Sequence, residues 1–307
     1  MTPAGGSGAR VHLAREPDAV LLARVANDAY AELVACRPDR FRAFAALPLP
    51  HPEASLRELA RACDELGMVG VGLTTTVLGR SLADPVFHPL YEELDRRGAV
   101  LYIHPSGEGA ASPLINGHGL TWMVGAPVED TVAAMHLILA GIPLRYPRMR
   151  ILVSHLGGAL PMLLRRLDDH LAFESPQKPE RPSLAALRLW YDTVGHCHPP
   201  ALIAAATSFG ADRLVLGTDF PYEDGEVFER AVSYIEDSGL PADEKRNPRH
   251  QRGRAARPLR ELTGDPRSRL RSPGAAGRRA PLSGAAPAPD RRNAVCGGGS
   301  GPSPSLA

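Results

Sequence analysis

Three short stretches end an apolar run on a side chain that can bind a metal or move a proton. LYIHP ends on His104, ILVSHLGG on His155 and LVLGTDFP on Asp219, each just before a Gly or Pro turn. One histidine closing a buried strand is more often a hydrogen-bonded structural residue than a ligand. Two histidines and an aspartate in the same strand-end position reverse that expectation. Neutral imidazole and carboxylate are ligand types that zinc and manganese accept, and converging strand ends bring such groups within reach of one ion. A fourth stretch, GHCHPP, holds the only His-x-His of the chain, His196 and His198. Alternate residues of an extended segment face the same way, so this pair has the chemistry of half a metal site.

The elements that must position these groups alternate along the chain. Candidate strands are RAFAALP (42–48), MVGVGLT (68–74), AVLYIHP (99–105), RILVSH (150–155), RLWYDTV (188–194) and RLVLGTD (213–219). Between them, EASLRELARACDELG, DPVFHPLYEELDRRG, VEDTVAAMHLILAG, ALPMLLRRLDDHL and PPALIAAATSFG repeat apolar residues at three- and four-residue spacing. Several stop at Gly, a usual helix terminator. GEVFERAVSYIEDSG does the same after the last strand. Successive βα units with continuously apolar strands imply a parallel sheet covered by helices. No GxGxxG or GxxxxGK[ST] loop follows the first strand, which argues against a nucleotide-binding doubly wound sheet. Polar residues at the C-terminal strand ends point instead to a TIM-type barrel, although six strands are found where eight are needed.

Composition bounds the reading. The chain has 307 residues, 44% hydrophobic and 22% charged, the balance of a globular protein with a sizeable core. No apolar run approaches the roughly 18 residues of a membrane span, and no secretory signal opens the chain. A cytoplasmic protein without membrane partners is expected. Cys36, Cys63, Cys197 and Cys296 form no CxxC, so neither a zinc-finger pattern nor a disulfide framework is implied. Residues 247–307 carry twelve Arg against three Asp or Glu, a net +9, whereas residues 1–246 net −8. This Arg/Pro/Gly-rich tail has no Ile, Met, Phe, Tyr or Trp, so it is expected to be disordered. With no interleaved aromatics it is not expected to bind nucleic acid. The helical pattern stops abruptly at Arg246, and an out-of-frame continuation is one reading of that.

The strings VLYIHPSG, YPRMRILVSHLGGALPMLLRRLDD, YDTVGH and ADRLVLGTDFPYEDGE resemble the amidohydrolase-related family typified by aminocarboxymuconate-semialdehyde decarboxylase. The resemblance runs from about Asn27 through Arg246. GLTTTVLGRSLADPVFHPLYEELDRRGAVLYIHP is most similar to the 6-methylsalicylate decarboxylase branch. The resemblance implies an α/β fold, a TIM-type (β/α)8 barrel of the metal-dependent hydrolase kind. His104 matches the metal-ligating histidine of the fifth strand and His155 the sixth-strand acid/base beside the metal. Asp219 matches the eighth-strand aspartate that binds metal or handles a proton. Asp192 and His196 match a supporting seventh-strand position. Numbering back from Asp219 makes RAFAALP the third strand. Strands one and two, with the family's His-x-His, would then lie before Met1. The expected organisation is a poorly ordered segment over 1–26, a partial barrel over 27–246 and the tail.

The function implied is metal-dependent, non-oxidative decarboxylation of a small aromatic or unsaturated carboxylate. The catalytic residues would be His155 and Asp219, and the metal ligands His104 and Asp219. Arg80, Trp122 and His196 are the candidates for substrate binding: Arg80 as a bidentate carboxylate donor, Trp122 as an aromatic wall over the pocket. The cofactor expected is a divalent metal, zinc first and manganese second, with no organic cofactor. The family's habit makes a homodimer plausible. Two alternatives stay open: metal-dependent hydrolysis of a lactone, ester or amide, and an inactive truncated member of the family.

Overall fold

The computed structural model describes residues 15–108, 112–178, 180–242 and 244–245. The expected disordered tail lies outside these residues. The chain opens with helix α1 (Glu16–Cys36) and α2 (Pro52–Asp64), then runs through strand β1 (Gly70–Thr74) and the hairpin β2 (Thr76–Val77) and β3 (Arg80–Ser81). There follow α3 (His88–Arg97), β4 (Val100–His104), α4 (Pro113–Asn116), α5 (Ala126–Leu139), α6 (Ile142–Arg145) and β5 (Arg150–Val153). The last part comprises α7 (Leu160–Glu174), α8 (Pro182–Ala186), β6 (Trp190–Asp192), α9 (Pro199–Phe209), β7 (Leu214–Val215) and α10 (Gly225–Glu236).

The main sheet has the order β1-β4-β5-β6-β7, and every pairing is parallel. Spatial order follows chain order without reversal, so there is no switch point of the doubly wound kind. Alternation across each strand separates two cores. Leu101, Ile103, Ile151, Val153, Tyr191 and Leu214 point to the large core under the helices. Val100, Tyr102, Leu152 and Val215 point the other way into a small cluster with Phe44 and Trp190. The C-terminal residues His104 and Asp192 continue the parity of this inner face.

Two expectations about elements are corrected. RAFAALP is not a full strand: it makes one bridge, Ala45 to Val71, supported by Ala45 N–H donating to Gly70 O at 2.8 Å. Val69 N–H and Gly72 N–H also donate to Ala43 O and Ala45 O, each at 3.1 Å, and a side chain adds to this hold: buried Asn27 of α1 accepts from Ala46 N–H and donates to Ala46 O at 2.8 and 3.0 Å. The segment 1–26 was expected to be poorly ordered, yet it is helical from Glu16 onward, and residues 1–14 lie outside the described residues. Among the described residues no ladder joins β7 to the 43–45 segment, so the sheet is a parallel arc and a closed barrel is not seen. No helix among the described residues is long and apolar enough to cross a membrane.

Candidate active site

Three strand ends converge. His104 closes β4, His155 follows β5 by two residues and Asp219 follows β7 by four. His104 Nε2 lies 3.2 Å from Asp219 Oδ1, and His155 Nε2 lies 3.6 Å from Asp219 Oδ2. One ligand atom from each of the three residues falls within 4.8 Å of the others, a separation suited to a shared cation. The aspartate stays exposed enough to meet a ligand, since 15% of its side-chain surface is accessible. His155 (φ 50°) and Asp219 (φ 55°) both take the left-handed backbone conformation that L-residues adopt only when the surroundings enforce it.

Buried carboxylates enforce it at His155. Asp192 Oδ1 accepts from the backbone N–H of His155 at 2.9 Å and of Val194 at 3.0 Å, and its Oδ2 accepts from Tyr102 OH at 3.3 Å. Asp130, just past the first turn of α5, has Oδ2 2.8 Å from His155 Nδ1, while its Oδ1 accepts from Ser154 Oγ at 2.9 Å. Its neighbour Glu129, also buried, accepts on one oxygen from Thr75 Oγ1, Ser106 N–H and Ser106 Oγ at 2.6 to 2.8 Å. Adjacent residues of one helix therefore grip three strand-end loops.

Proton affinities follow from these contacts. Burial alone would lower the His155 imidazole, but Asp130 and Asp219 outweigh it and hold the imidazolium well above its ordinary range. Burial pushes Asp130 up against the opposing pull of His155 and Ser154. Burial also pushes Asp192 up to about 6, with the charge of His155 opposing. Asp219 is the exception: burial would raise it, yet His104 and His155 hold it well below the usual carboxylate range. It is the anion among these groups that faces open space.

That space is a cavity of about 690 Å³. His104, His155 and Asp219 line it together with Trp122, Tyr222, Met123, Met162, Leu156 and the GHCHPP loop. Trp122 stands where an aromatic wall was expected, stacked on Tyr222 at 6.3 Å, and Tyr222 stacks on His104 at 6.3 Å. Gly107 makes room for it, since a Cβ there would come within 2.8 Å of the indole. His196 lines the cavity with its Nδ1 3.0 Å from Glu223 Oε1, and His198 lines it too, but neither joins the three-donor cluster. Arg80 is the correction: it sits on the β2–β3 hairpin away from this cavity, and Asp84 takes its guanidinium at 2.8 Å. Sequence reasoning missed Asp130, Tyr222 and Glu223. The last two sit directly after Asp219 in the TDFPYEDG string, which was a signal of proximity, whereas Asp130 offered none.

A family model described as Amidohydrolase matches residues 1–247. The chain belongs to this amidohydrolase family. It is 32% identical over 225 residues to 2-amino-3-carboxymuconate-6-semialdehyde decarboxylase of Dictyostelium discoideum, covering 70% of this amidohydrolase chain and 60% of the relative. It is 34% identical over 248 residues to 6-methylsalicylic acid decarboxylase of Penicillium expansum, covering 75% and 74%. Among solved structures it is similar to the dihydroxybenzoic acid decarboxylase of Polaromonas sp. JS666 with bound manganese and the inhibitor 2-nitroresorcinol. That match has a TM-score of 0.70 and 27% identity, over 86% of this chain and 82% of that one. The chain thus spans about 60% of the length of the Dictyostelium relative, less than two thirds.

Proposed function

We propose that this amidohydrolase is a divalent-metal-dependent, non-oxidative decarboxylase of a small aromatic or unsaturated carboxylic acid. The observation that carries the proposal is the His104–His155–Asp219 cluster opening into an aromatic-walled cavity. The donor set fits a divalent cation: an anionic carboxylate and an imidazole nitrogen about 3 Å apart, with room for exchangeable ligands. His104 and Asp219 would hold the ion, and when bound it would polarise the substrate's oxygens. Manganese stands ahead of zinc, reversing the order expected from ligand types, because the Polaromonas relative carries manganese and the set contains no thiolate.

The chain's own residues supply the rest. Trp122 and Tyr222 would sandwich a planar substrate beside His104, and His196 would stand at the rim with Glu223. When the C–CO₂ bond breaks, its electron pair stays on the ring carbon. His155 would give that carbon the proton on Nε2, leaving neutral imidazole and free CO₂. The raised proton affinity of His155 keeps the proton available at neutral pH. The parallel arc is read as the larger part of an eight-stranded barrel whose catalytic face lies at the strand C-termini.

The test is CO₂ release by the purified full chain, supplied with Mn²⁺, from 6-methylsalicylate and from 2,6-dihydroxybenzoate, beside Asp219→Asn. Release from at least one substrate, lost in the variant, is expected. No release of CO₂ together with ring-opening of a lactone would replace this reading with a hydrolase. Failure to retain Mn²⁺ would replace it with an inactive chain.

A further inference from the structure

We infer that Asp130 is a positioning residue that fixes which nitrogen of His155 exchanges protons, holding Nδ1–H permanently so that only Nε2 works toward the cavity. The inference rests on the reading of His155 as proton donor. Nothing in the sequence pattern singles Asp130 out, and neither the strand-end motifs nor the matched family strings contain it.

The geometry leaves little freedom. Asp130 is completely buried, so its carboxylate has to be satisfied by the protein. One oxygen takes the Ser154 hydroxyl proton at 2.9 Å, and the other meets His155 Nδ1 at 2.8 Å. An ionised carboxylate can only accept, so Nδ1 must donate whether the imidazole is charged or neutral. The opposite nitrogen, Nε2, is the one that faces Asp219 across 3.6 Å and the open cavity. Ring rotation is blocked as well. Asp192 pins the His155 backbone N–H at 2.9 Å in its left-handed conformation, and Asp130 pins the ring. Backbone and side chain of one histidine are thus held by two different buried carboxylates. After the proton leaves Nε2, the residue is left in a single defined tautomer and can be recharged only from the cavity side.

Asp130→Asn separates this role from a merely structural one because it keeps shape and changes one donor. If Ser154 keeps donating to the amide oxygen, the amide nitrogen faces His155 Nδ1 and donates to it. The imidazole must then shift its proton to Nε2. Nitrogen-15 spectra of the full chain without added metal, at a pH alkaline enough to deprotonate His155, read this directly. The wild type is expected to show a pyrrole-type Nδ1 and a pyridine-type Nε2, and Asp130→Asn the reverse. Ser154→Ala, which removes only the other partner of Asp130, is expected to keep the wild-type pattern. In the CO₂ assay Asp130→Asn should lower kcat by about 10–100-fold with KM changed less than about twofold. A wild-type His155 protonated on Nε2 overturns the inference even if the variant does not fold. So does an Asp130→Asn variant that folds and in which tautomer and turnover part company, kcat lost with Nδ1–H kept or kcat kept with Nδ1–H gone. If the wild type releases no CO₂ at all, the decarboxylase reading fails, and the tautomer spectra still decide this one.

Discussion

The approach of α5 to the His155 loop depends on one missing methyl group, and Gly158→Ala measures how much. Gly158 has φ 64° and ψ −124°, a conformation open essentially to glycine alone. A Cβ built there would lie 2.1 Å from the carbonyl oxygen of Pro127 and 2.5 Å from Thr131 Oγ1, both in the N-terminal half of α5. Real Cβ atoms essentially never come within 3.0 Å of such atoms, so a gap of about 0.9 Å has to open between loop and helix. Glu129 and Asp130 lie between those two contact points and move with them. The backbone strain costs about 1–3 kcal/mol, and weakening a charge-assisted hydrogen bond costs about 1.5–3 kcal/mol more. The expected loss is therefore about 3–5 kcal/mol, read from urea unfolding. A displacement near 1 Å is also enough to lower kcat by about 10²-fold in the protein that remains folded. Gly67→Ala is the control: φ is 70° there, but nothing lies within 4 Å of the added carbon, so about 1 kcal/mol is expected. The reasoning is refuted if Gly158→Ala costs no more than Gly67→Ala, or if it loses stability while kcat stays unchanged.

Asn27→Ala should destabilise by about 3 kcal/mol in urea unfolding, because it strips partners from Ala46 N–H, Ala46 O and Glu58 at once; a cost under about 1 kcal/mol would mean the 43–47 segment is held by something else. Arg80→Ala should change stability by less than about 0.5 kcal/mol and KM by less than about twofold, its side chain being half exposed and paired only with Asp84; a tenfold rise in KM would return Arg80 to the substrate site. Arg97→Met tests a pH effect. Arg97 binds Asp64 and Glu93; it holds the Asp64 carboxyl below its ordinary range, and Arg96, joined by Arg97, does the same for Glu93. Depressed carboxylates add stability above their unfolded values of about 4 and lose it as pH falls through the folded ones. The stability gap between wild type and Arg97→Met should therefore be flat from neutral pH to about 5 and narrow below about 4; a gap that widens in acid contradicts the pairing.

The helices that could be read from the sequence are those whose apolar residues recur on one face and whose ends carry Gly, such as α2, α3 and α10. Helix α1 escaped that reading for a physical reason. Its buried positions are Ala19, Ala23 and Asn27, two small residues and a polar one, while Leu21, Leu22, Val25 and Leu33 are exposed. Periodicity of large apolar residues marks burial by hydrophobic area, and this helix is seated by close approach and by the hydrogen bonds of Asn27 instead. The strands were legible as apolar runs but too long: residues 213–219 contain only Leu214–Val215 as ladder, and 42–48 contains one bridge. An apolar run records that a segment is buried; its length as a strand depends on which neighbour offers hydrogen bonds, and that information lies elsewhere in the chain.

The candidate site divides along the same line. His104, His155 and Asp219 could be found because each ends an apolar run, and such ends in a parallel sheet face a common side. Asp130 could not, because an acid near the start of a helix is ordinary: Glu16, Glu53 and Glu226 lie in the first turns of theirs and are exposed there. What distinguishes Asp130 is that its turn is pressed against the loop after β5, and the residue that permits this is Gly158, three positions after His155. The LGG of ILVSHLGG reads as a turn ending a strand. In the folded chain its second glycine is the contact surface on which a helix brings a carboxylate to the histidine. The motif therefore encodes a partner of His155 as well as the histidine itself, and it does so through an absent side chain, which no search for chemically active residue types would register.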